Sequence, residues 1–519
     1  MEGIEDYPRL AKKTRAGKFL EIFLGRGTII TLLFAIQVVA LVFLFMGTFK
    51  HFSWLYQIAS TGCKVIMAIY LINKDMDTNT KCSWLALILL FPLVGIPLYF
   101  FLMFDIGHRA QKLILGEEEK RGEGFVPYDN ELLSSIPDTE THQIASYLSR
   151  NASAPVFRNS KCHYYPFGAD AFPEMLDALE SAEDFIFLEY FIIDEGFMWG
   201  NVLEILERKV KEGVDVRVLY DGLNAFARLP YNYPKRLEAV GIKAKMVSPI
   251  RPFVSTHYNN RDHRKILVVD NKVAFTGGIN LADEYIGRRI VYGVWKDNAI
   301  RVEGEAVTSM TLTFLKTWNA LYRDNEYRKF LEPHPIEGEG LTIPYADSPL
   351  DNERVGETVY QTIIGNSRRY CWIMTPYLIL DSELEDSLKR SAKRGVDVRI
   401  LLPHIPDKKY AFCLARSHYR SLLDAGVRIF EYTPGFVHAK VFLSDDREGV
   451  VGTINLDYRS LYLHFENAVY FTGKTTLQEL KDDFNESFGV SEEIDRDTWK
   501  NRGMYNIMGK VLKIMAPLM

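Results

Sequence analysis

With 519 residues, 47% of them hydrophobic and 25% charged, the chain exceeds what one hydrophobic core usually holds, so two or more domains are expected. A net charge of −5 argues against a dedicated nucleic-acid binder, which would carry a basic excess, and no nucleic-acid partner is expected. Five scattered cysteines (Cys63, Cys82, Cys162, Cys371 and Cys413), with no C-x-x-C spacing, indicate neither a disulfide framework nor a zinc site.

Residues 1–27 form a basic tail carrying Arg9, Lys12, Lys13, Arg15, Lys18 and Arg26, which is expected to stay in the cytoplasm. Residues 28–104 read as a membrane region. The runs 28–47, "TIITLLFAIQVVALVFLFMG", and 83–104, "SWLALILLFPLVGIPLYFFLMF", are uncharged and long enough to span a bilayer. Between them, 53–72 is apolar but carries Lys64 near its midpoint, which would cost roughly 3 kcal/mol at the bilayer centre. The expectation is a multi-pass protein of the cell membrane with spans at 28–47 and 83–104, the 53–72 segment being left open as a third. Two spans would keep the bulk of the chain inside the cell and three would put it outside.

After a linker over 105–150, the chain repeats itself. "KEGVDVRVLYDG" (211–222) returns as "KRGVDVRILLPH" (393–404), "EYFIID" (189–194) as "PYLILD" (376–381), and "GIKAKMVSP" (241–249) as "GVRIFEYTP" (426–434). The correspondences keep their order, at offsets of 175 to 187 residues once the histidine segments below are included. Two lobes are therefore expected, 151–335 and 336–519. In each, short β-branched runs such as 184–193 and 214–220 alternate with helical patterns such as 199–213, where Val202, Ile205, Leu206 and Val210 share a face and Gly213 suits a C-cap. That alternation predicts an α/β fold, a mixed sheet flanked by helices in each lobe. Two copies suggest a pseudo-two-fold arrangement in which equivalent patches meet at the axis.

The last repeated pair is "HRKILVVDNKVAFTGGIN" and "HAKVFLSDDREGVVGTIN". Each supplies a His, a Lys two later, an Asp seven later, a Gly fourteen later and an Asn seventeen later: His263, Lys265, Asp270, Gly277 and Asn280 against His438, Lys440, Asp445, Gly452 and Asn455. Residues i and i+2 of a strand share a face, so each His and Lys look the same way. Singly these residues have ordinary structural explanations, but two copies of five spaced positions have no packing motive. Converging lysines, imidazoles and asparagines make an anion site suited to phosphate, with Asn280 and Asn455 as neutral donors to substrate. Without a Walker loop or Asp-rich cluster, the lysines would neutralise the non-bridging oxygens and no metal or cofactor is expected. One His can attack phosphorus while the other protonates the departing alcohol and then deprotonates the incoming one.

The doubled H-x-K-x4-D-x6-G-[GST] pattern resembles the phospholipase D superfamily and, within it, the bacterial cardiolipin synthases. "KCSWLALILLFPLVGIPLYFF" (81–101), "NLDYRSLYLHFEN" (455–467) and the final "APLM" (516–519) resemble that family's membrane entry segment, second-motif extension and carboxyl terminus. The resemblance covers roughly residues 28–519 and implies two phospholipase D-like lobes behind transmembrane helices. It also implies phosphatidylglycerol in the membrane as substrate, converted to cardiolipin and glycerol through a phosphohistidine. Of the catalytic signature His263, Lys265, Asp270, His438, Lys440 and Asp445, it points to His263 as nucleophile and His438 as acid and base, with pseudo-symmetry leaving the reverse open. It nominates Asp297 in "WKDN" to orient His263 and Glu466 in "HFEN" to orient His438, and gives Asp270 and Asp445 a supporting role to the strand or lysine.

Tyr190, Tyr377 and Asp221 are lesser candidates for the cleft, and His257 and His464 are expected to be bystanders. The 505–519 stretch reads as an amphipathic helix lying on a membrane or packing on the core. Two other functions use the same residues: a phospholipase D-type hydrolase releasing phosphatidic acid, and a lipid-binding protein without turnover.

Overall fold

The computed structural model describes residues 53–103, 109–224, 228–249, 260–351, 353–499 and 504–518, with Ala35 and Val39. The basic tail, the expected 28–47 span and His257 lie outside the described residues. The chain divides into two compact units, one of residues 12–110, 250–258 and 510–519, the other of 1–11, 111–249 and 259–509.

In the smaller unit, among the described residues, one helix is long and apolar enough to cross a membrane: Trp54–Asn73, with a mean hydropathy of 1.4. Its twenty residues rise about 30 Å, the thickness of a hydrocarbon core. This is the segment that Lys64 had left open. The 83–104 expectation is corrected, because that run is broken into helices Thr78–Leu90 and Pro92–Met103 of 13 and 12 residues. Each rises under about 20 Å, too short to span. Phe91 leaves the helical region (φ −133°, ψ 68°) just before Pro92, a residue that cannot continue a helix from the turn before it. Gly95 lets the second helix fold back, since a Cβ there would lie 2.8 Å from Ile88 Cα. Met67, Leu71, Trp84, Ile88, Leu98 and Tyr99 pack as the small core that results. Hydropathy counted residues and could not register the reversal.

The larger unit holds both repeats. The first lobe contributes β1 (Ser160–Tyr165), β2 (Phe185–Tyr190), β3 (Asp215–Asp221), β4 (Lys243–Val247), β5 (Lys265–Val269), β6 (Val273–Gly277), β7 (Val294–Lys296) and β8 (Ala299–Gly304). The second contributes β9 (Thr342–Asp347), β10 (Tyr370–Met374), β11 (Asp397–Pro403), β12 (Arg428–Tyr432), β13 (Gly435–Val437), β14 (Val441–Ser444), β15 (Glu448–Gly452), β16 (Glu466–Phe471) and β17 (Ser491–Glu493). The two sheets run in the same order, β1-β8-β6-β5-β2-β3-β4 and β9-β16-β15-β14-β10-β11-β12, the second extended by β17. In each, three strands are parallel through helical crossovers and the rest antiparallel, the mixed α/β arrangement that the alternating pattern predicts. The crossover helix Phe197–Glu212 ends, as expected, at Gly213 in the left-handed region with φ +98°.

Three apolar cores follow from this layering. Helices on the outer faces bury one core in each lobe. The third lies between the lobes: Phe187, Val268, Phe314 and Trp318 of the first belong to the same cluster as Trp372, Val441, Val469 and Phe484 of the second. Helices Val307–Tyr322 and Lys474–Gly489 supply its inner layer. This shared core explains why two homologous lobes form one compact unit.

The terminal helix Met504–Met515 is amphipathic, as its pattern predicts, and leaves Ile507, Val511 and Ile514 exposed (67%, 57% and 55%).

Candidate active site

Each His-x-Lys pair stands at the mouth of a central strand, just before or at the start of β5 and β14. Both strands are covered on two faces, so the pairs are buried: His263 is 6% exposed, Lys265 1%, His438 9% and Lys440 1%.

The lobes exchange backbone bonds at these mouths. β13 runs parallel to β7, and the His438 N–H then donates to the Lys296 carbonyl at 2.7 Å. Across the pseudo-axis Asp262 bridges in parallel to Phe465, and the His263 N–H donates to the Phe465 carbonyl at 2.9 Å. Each carboxylate follows by one residue, so each histidine meets the carboxylate of the other lobe. His263 Nδ1 lies 2.8 Å from Glu466 Oε2, and His438 Nδ1 lies 2.7 Å from Asp297 Oδ2. The expected pairing of Asp297 with His263 and Glu466 with His438 is therefore reversed. The nominated residues are the ones present, but the parallel inter-lobe bridges send each to the opposite histidine.

Both carboxylates are fully buried and held below the usual range by the imidazoles, against the opposing pull of burial. Burial lowers His263 to about 3 and His438 to about 4, Lys265 adding to the depression of His438. Each ring is a neutral imidazole that donates Nδ1–H to a carboxylate and leaves Nε2 bare. Among the described residues neither Nε2 has a protein hydrogen-bond partner. The lysines are depressed as well, Lys265 to about 7 and Lys440 to about 8, mainly by burial. Lys440 is among the charges that lower Lys265, and Lys440 in turn feels both Asp297 and Glu466. The two clamps thus share one electrostatic environment.

The remaining signature residues divide. Asp270 does not face this centre: its carboxylate accepts the backbone N–H groups of Glu183, Asp184 and Phe185 at 2.8, 2.9 and 2.7 Å. Asp445 does the same for Arg368, Arg369 and Tyr370 at 2.7, 2.8 and 2.9 Å. Their inclusion with the catalytic groups is corrected, because they sit at the far ends of β5 and β14 and fasten the turn entering the neighbouring strand. Asn280 is corrected too. Its oxygen accepts from Ile192 N and its amide donates to the Tyr285 hydroxyl, so both ends are occupied by scaffold. Asn455 retains a buried side-chain oxygen without a partner among the described residues. Asp221 accepts from Leu223 N and Asp262 N and holds the strand entry from behind. Tyr377 donates to Asp407.

Several contributors carried no sequence signal of their own. Asn467 accepts the Lys265 N–H at 3.3 Å and donates to Thr276, tying the lobes together. Thr453 donates to Glu466. Its counterpart in the aligned "GGIN" is Gly278, and there a Cβ would lie 1.8 Å from Asp297 Oδ1. Gly278 is thus the space that Asp297 fills. Gly278→Ala should displace that carboxylate, costing about 1–3 kcal/mol of stability and releasing His438 from its tautomer. Thermal denaturation and turnover should fall together; wild-type values of both would show that the site accommodates the methyl. His464, expected to be a bystander, packs 5.5 Å from the His263 ring.

Comparison with known proteins gives a consistent picture. The family model described as "Cardiolipin synthase, PLD-like domain" matches twice, at residues 175–314 and 360–488, and one described as "Phospholipase_D-nuclease N-terminal" matches residues 64–102. An uncharacterized protein of Streptococcus mutans serotype c is 51% identical, covering 87% of this chain and 99% of its own length. A cardiolipin synthase of Alkalihalophilus pseudofirmus is 31% identical over 90% of this chain and 95% of its own. Among solved structures, a phosphatidylserine synthase of Haemophilus influenzae superposes with a TM-score of 0.53 at 16% identity, covering 69% of this chain and 93% of that one, a likeness of fold.

Proposed function

The chain belongs to the cardiolipin synthase family of phospholipase D-like proteins, and from that premise we propose that it joins two phosphatidylglycerol molecules into cardiolipin with release of glycerol. It is a phosphatidyltransferase associated with the membrane. The observation that carries the reading is the pair of imidazoles, each locked through Nδ1 by a buried carboxylate of the opposite lobe and each with no Nε2 partner among the described residues.

In this reading the phosphodiester of the first lipid binds between Lys265 and Lys440, which neutralise its non-bridging oxygens. His263 Nε2 attacks phosphorus, forming an N–P bond as the bond to the glycerol oxygen breaks. His438 Nε2–H protonates that oxygen, and glycerol leaves. His438 then takes the proton of a hydroxyl on the second phosphatidylglycerol, whose oxygen attacks phosphorus and breaks the N–P bond. Asn455 keeps an unengaged side-chain oxygen, which can accept a hydrogen bond from a headgroup hydroxyl. One phosphodiester replaces another, so no nucleotide is needed. Insertion is multi-pass, with 28–47 joining Trp54–Asn73, and the lobes are the repeats 151–335 and 336–519.

The test is to supply purified protein with phosphatidylglycerol and separate the products. Cardiolipin with free glycerol is expected. Phosphatidic acid would mean that water takes the phosphohistidine, and no product would mean binding alone.

The depressed pKa values carry a consequence for binding. With the protein groups alone around it His438 is neutral at pH 7, yet the first step requires it to carry a second proton. An entering phosphodiester anion stabilises the protonated forms of His438 and both lysines, raising their pKa values. Raised pKa values mean that protons are taken up. Calorimetric titration of a non-reactive phosphodiester at pH 7 in buffers of different ionisation enthalpy should register net uptake of about one proton or more. Proton release or none would contradict this electrostatic account.

A further inference from the structure

Among the described residues, His464 is the one imidazole near the centre that the relay does not use. Its side chain is only 10% exposed, and among the described residues neither ring nitrogen has a hydrogen-bond partner. Glu466 Oε1 lies 3.6 Å from Nδ1, beyond hydrogen-bond reach. An imidazole always carries at least one N–H, and leaving a buried donor unmade costs about 1–3 kcal/mol. Such a group calls for a partner from outside the chain. Ligand atoms of His263, His464 and Glu466 all lie within 4.8 Å of one another.

We propose that His263, Glu466 and His464 form a site for a zinc-type divalent cation whose occupancy switches the enzyme off. Two imidazoles and one carboxylate are a set that zinc accepts, with a fourth position open to the cleft. The inner pair is already tight: His263 Nδ1 lies 2.9 and 2.8 Å from the two Glu466 oxygens. Each imidazole has a ring nitrogen able to give a lone pair, and Glu466 supplies a carboxylate oxygen. Coordination through His263 Nδ1 displaces that ring's hydrogen bond to Glu466 and moves its proton to Nε2. No net proton is gained or lost. The lone pair that attacks phosphorus is consumed, so the metal acts as an inhibitor and never enters the transfer. Among the described residues nothing equivalent stands over His438, because the residue two before Asp297 is Trp295, whose indole cannot ligate.

The inhibitory consequence rests on the phosphatidyltransferase reading, whereas the binding site does not. The test uses the full-length protein in detergent, freed of metal with a chelator and titrated with Zn2+ by calorimetry and with Co2+ by visible absorption. Wild-type protein should bind one ion, give the intense bands of a four-coordinate Co2+ site, and lose turnover in proportion to occupancy. His464→Asn should keep turnover within about twofold while its zinc affinity falls about tenfold or more. Should that variant fold poorly, His263→Gln, read by the Co2+ spectrum alone, must lose the same bands. No stoichiometric binding, or binding unchanged in both variants, overturns the site. Zinc binding without cardiolipin formation in the metal-free protein leaves the site standing and removes the proposed function; cardiolipin formation without zinc binding does the opposite.

Discussion

Replacing His263 or His438 reduces phosphatidyl transfer by at least about 10³-fold, and replacing both costs little more than replacing one. Each is required in the same relay, so the first loss already removes the path. The choice of substituent matters, because both partner carboxylates are fully buried. Alanine at His263 removes the Nδ1–H donor to the buried Glu466 carboxylate, and leaving such an acceptor unmade costs about 1–3 kcal/mol or more. Glutamine offers an amide N–H in its place. The informative set is therefore His263→Gln and His438→Gln beside the alanine variants, assayed on phosphatidylglycerol with thermal denaturation in parallel. Inactive glutamine variants with near wild-type melting place the defect in chemistry. Near-normal turnover in either would sink the two-histidine relay.

Asp270→Ala has the opposite signature: a loss of about 3 kcal/mol of stability with turnover per folded molecule nearly unchanged. The carboxylate is 4% exposed and accepts the N–H groups of Glu183, Asp184 and Phe185, all of which lose a charged acceptor together. Its own backbone stands at φ +51°, where a left-handed residue needs such compensation. Asn is the milder change, since it tolerates that conformation and keeps one acceptor oxygen. Asp445, at φ +56° with the same triple bond in the second lobe, should behave alike, though less severely because its surroundings are more exposed. The check is the melting temperature beside kcat. A large fall in kcat at unchanged melting would return these aspartates to the catalytic set.

The two aspartates also show where a motif stops being informative. Spacing placed Asp270 and Asp445 seven residues after each histidine, and the strand between makes that distance a separation of opposite ends. Repetition in sequence marks whatever the fold uses twice, chemistry and scaffold alike. Asn280 and Asn455 are the reverse case, since equivalent positions differ in use: one amide is bonded at both ends to its own lobe and the other keeps an orphan oxygen. The 83–104 run departs from its pattern for a related reason. Hydropathy measures what a segment would prefer to touch, and Pro92 and Gly95 decide that 83–104 turns back on itself.

By itself the amino-acid sequence determined the duplication, the α/β alternation, the buried strand cores and the identity of the residues that meet, because periodicity and repeated spacing are local properties. Which carboxylate serves which histidine was decided only by tertiary structure. The parallel bridges between β7 and β13, and between Asp262 and Phe465, carry each acid across the pseudo-axis, and a contact between residues 203 positions apart leaves no local trace. The same holds for His464, ordinary in the chain and conspicuous only once burial leaves its ring nitrogens without a partner among the described residues.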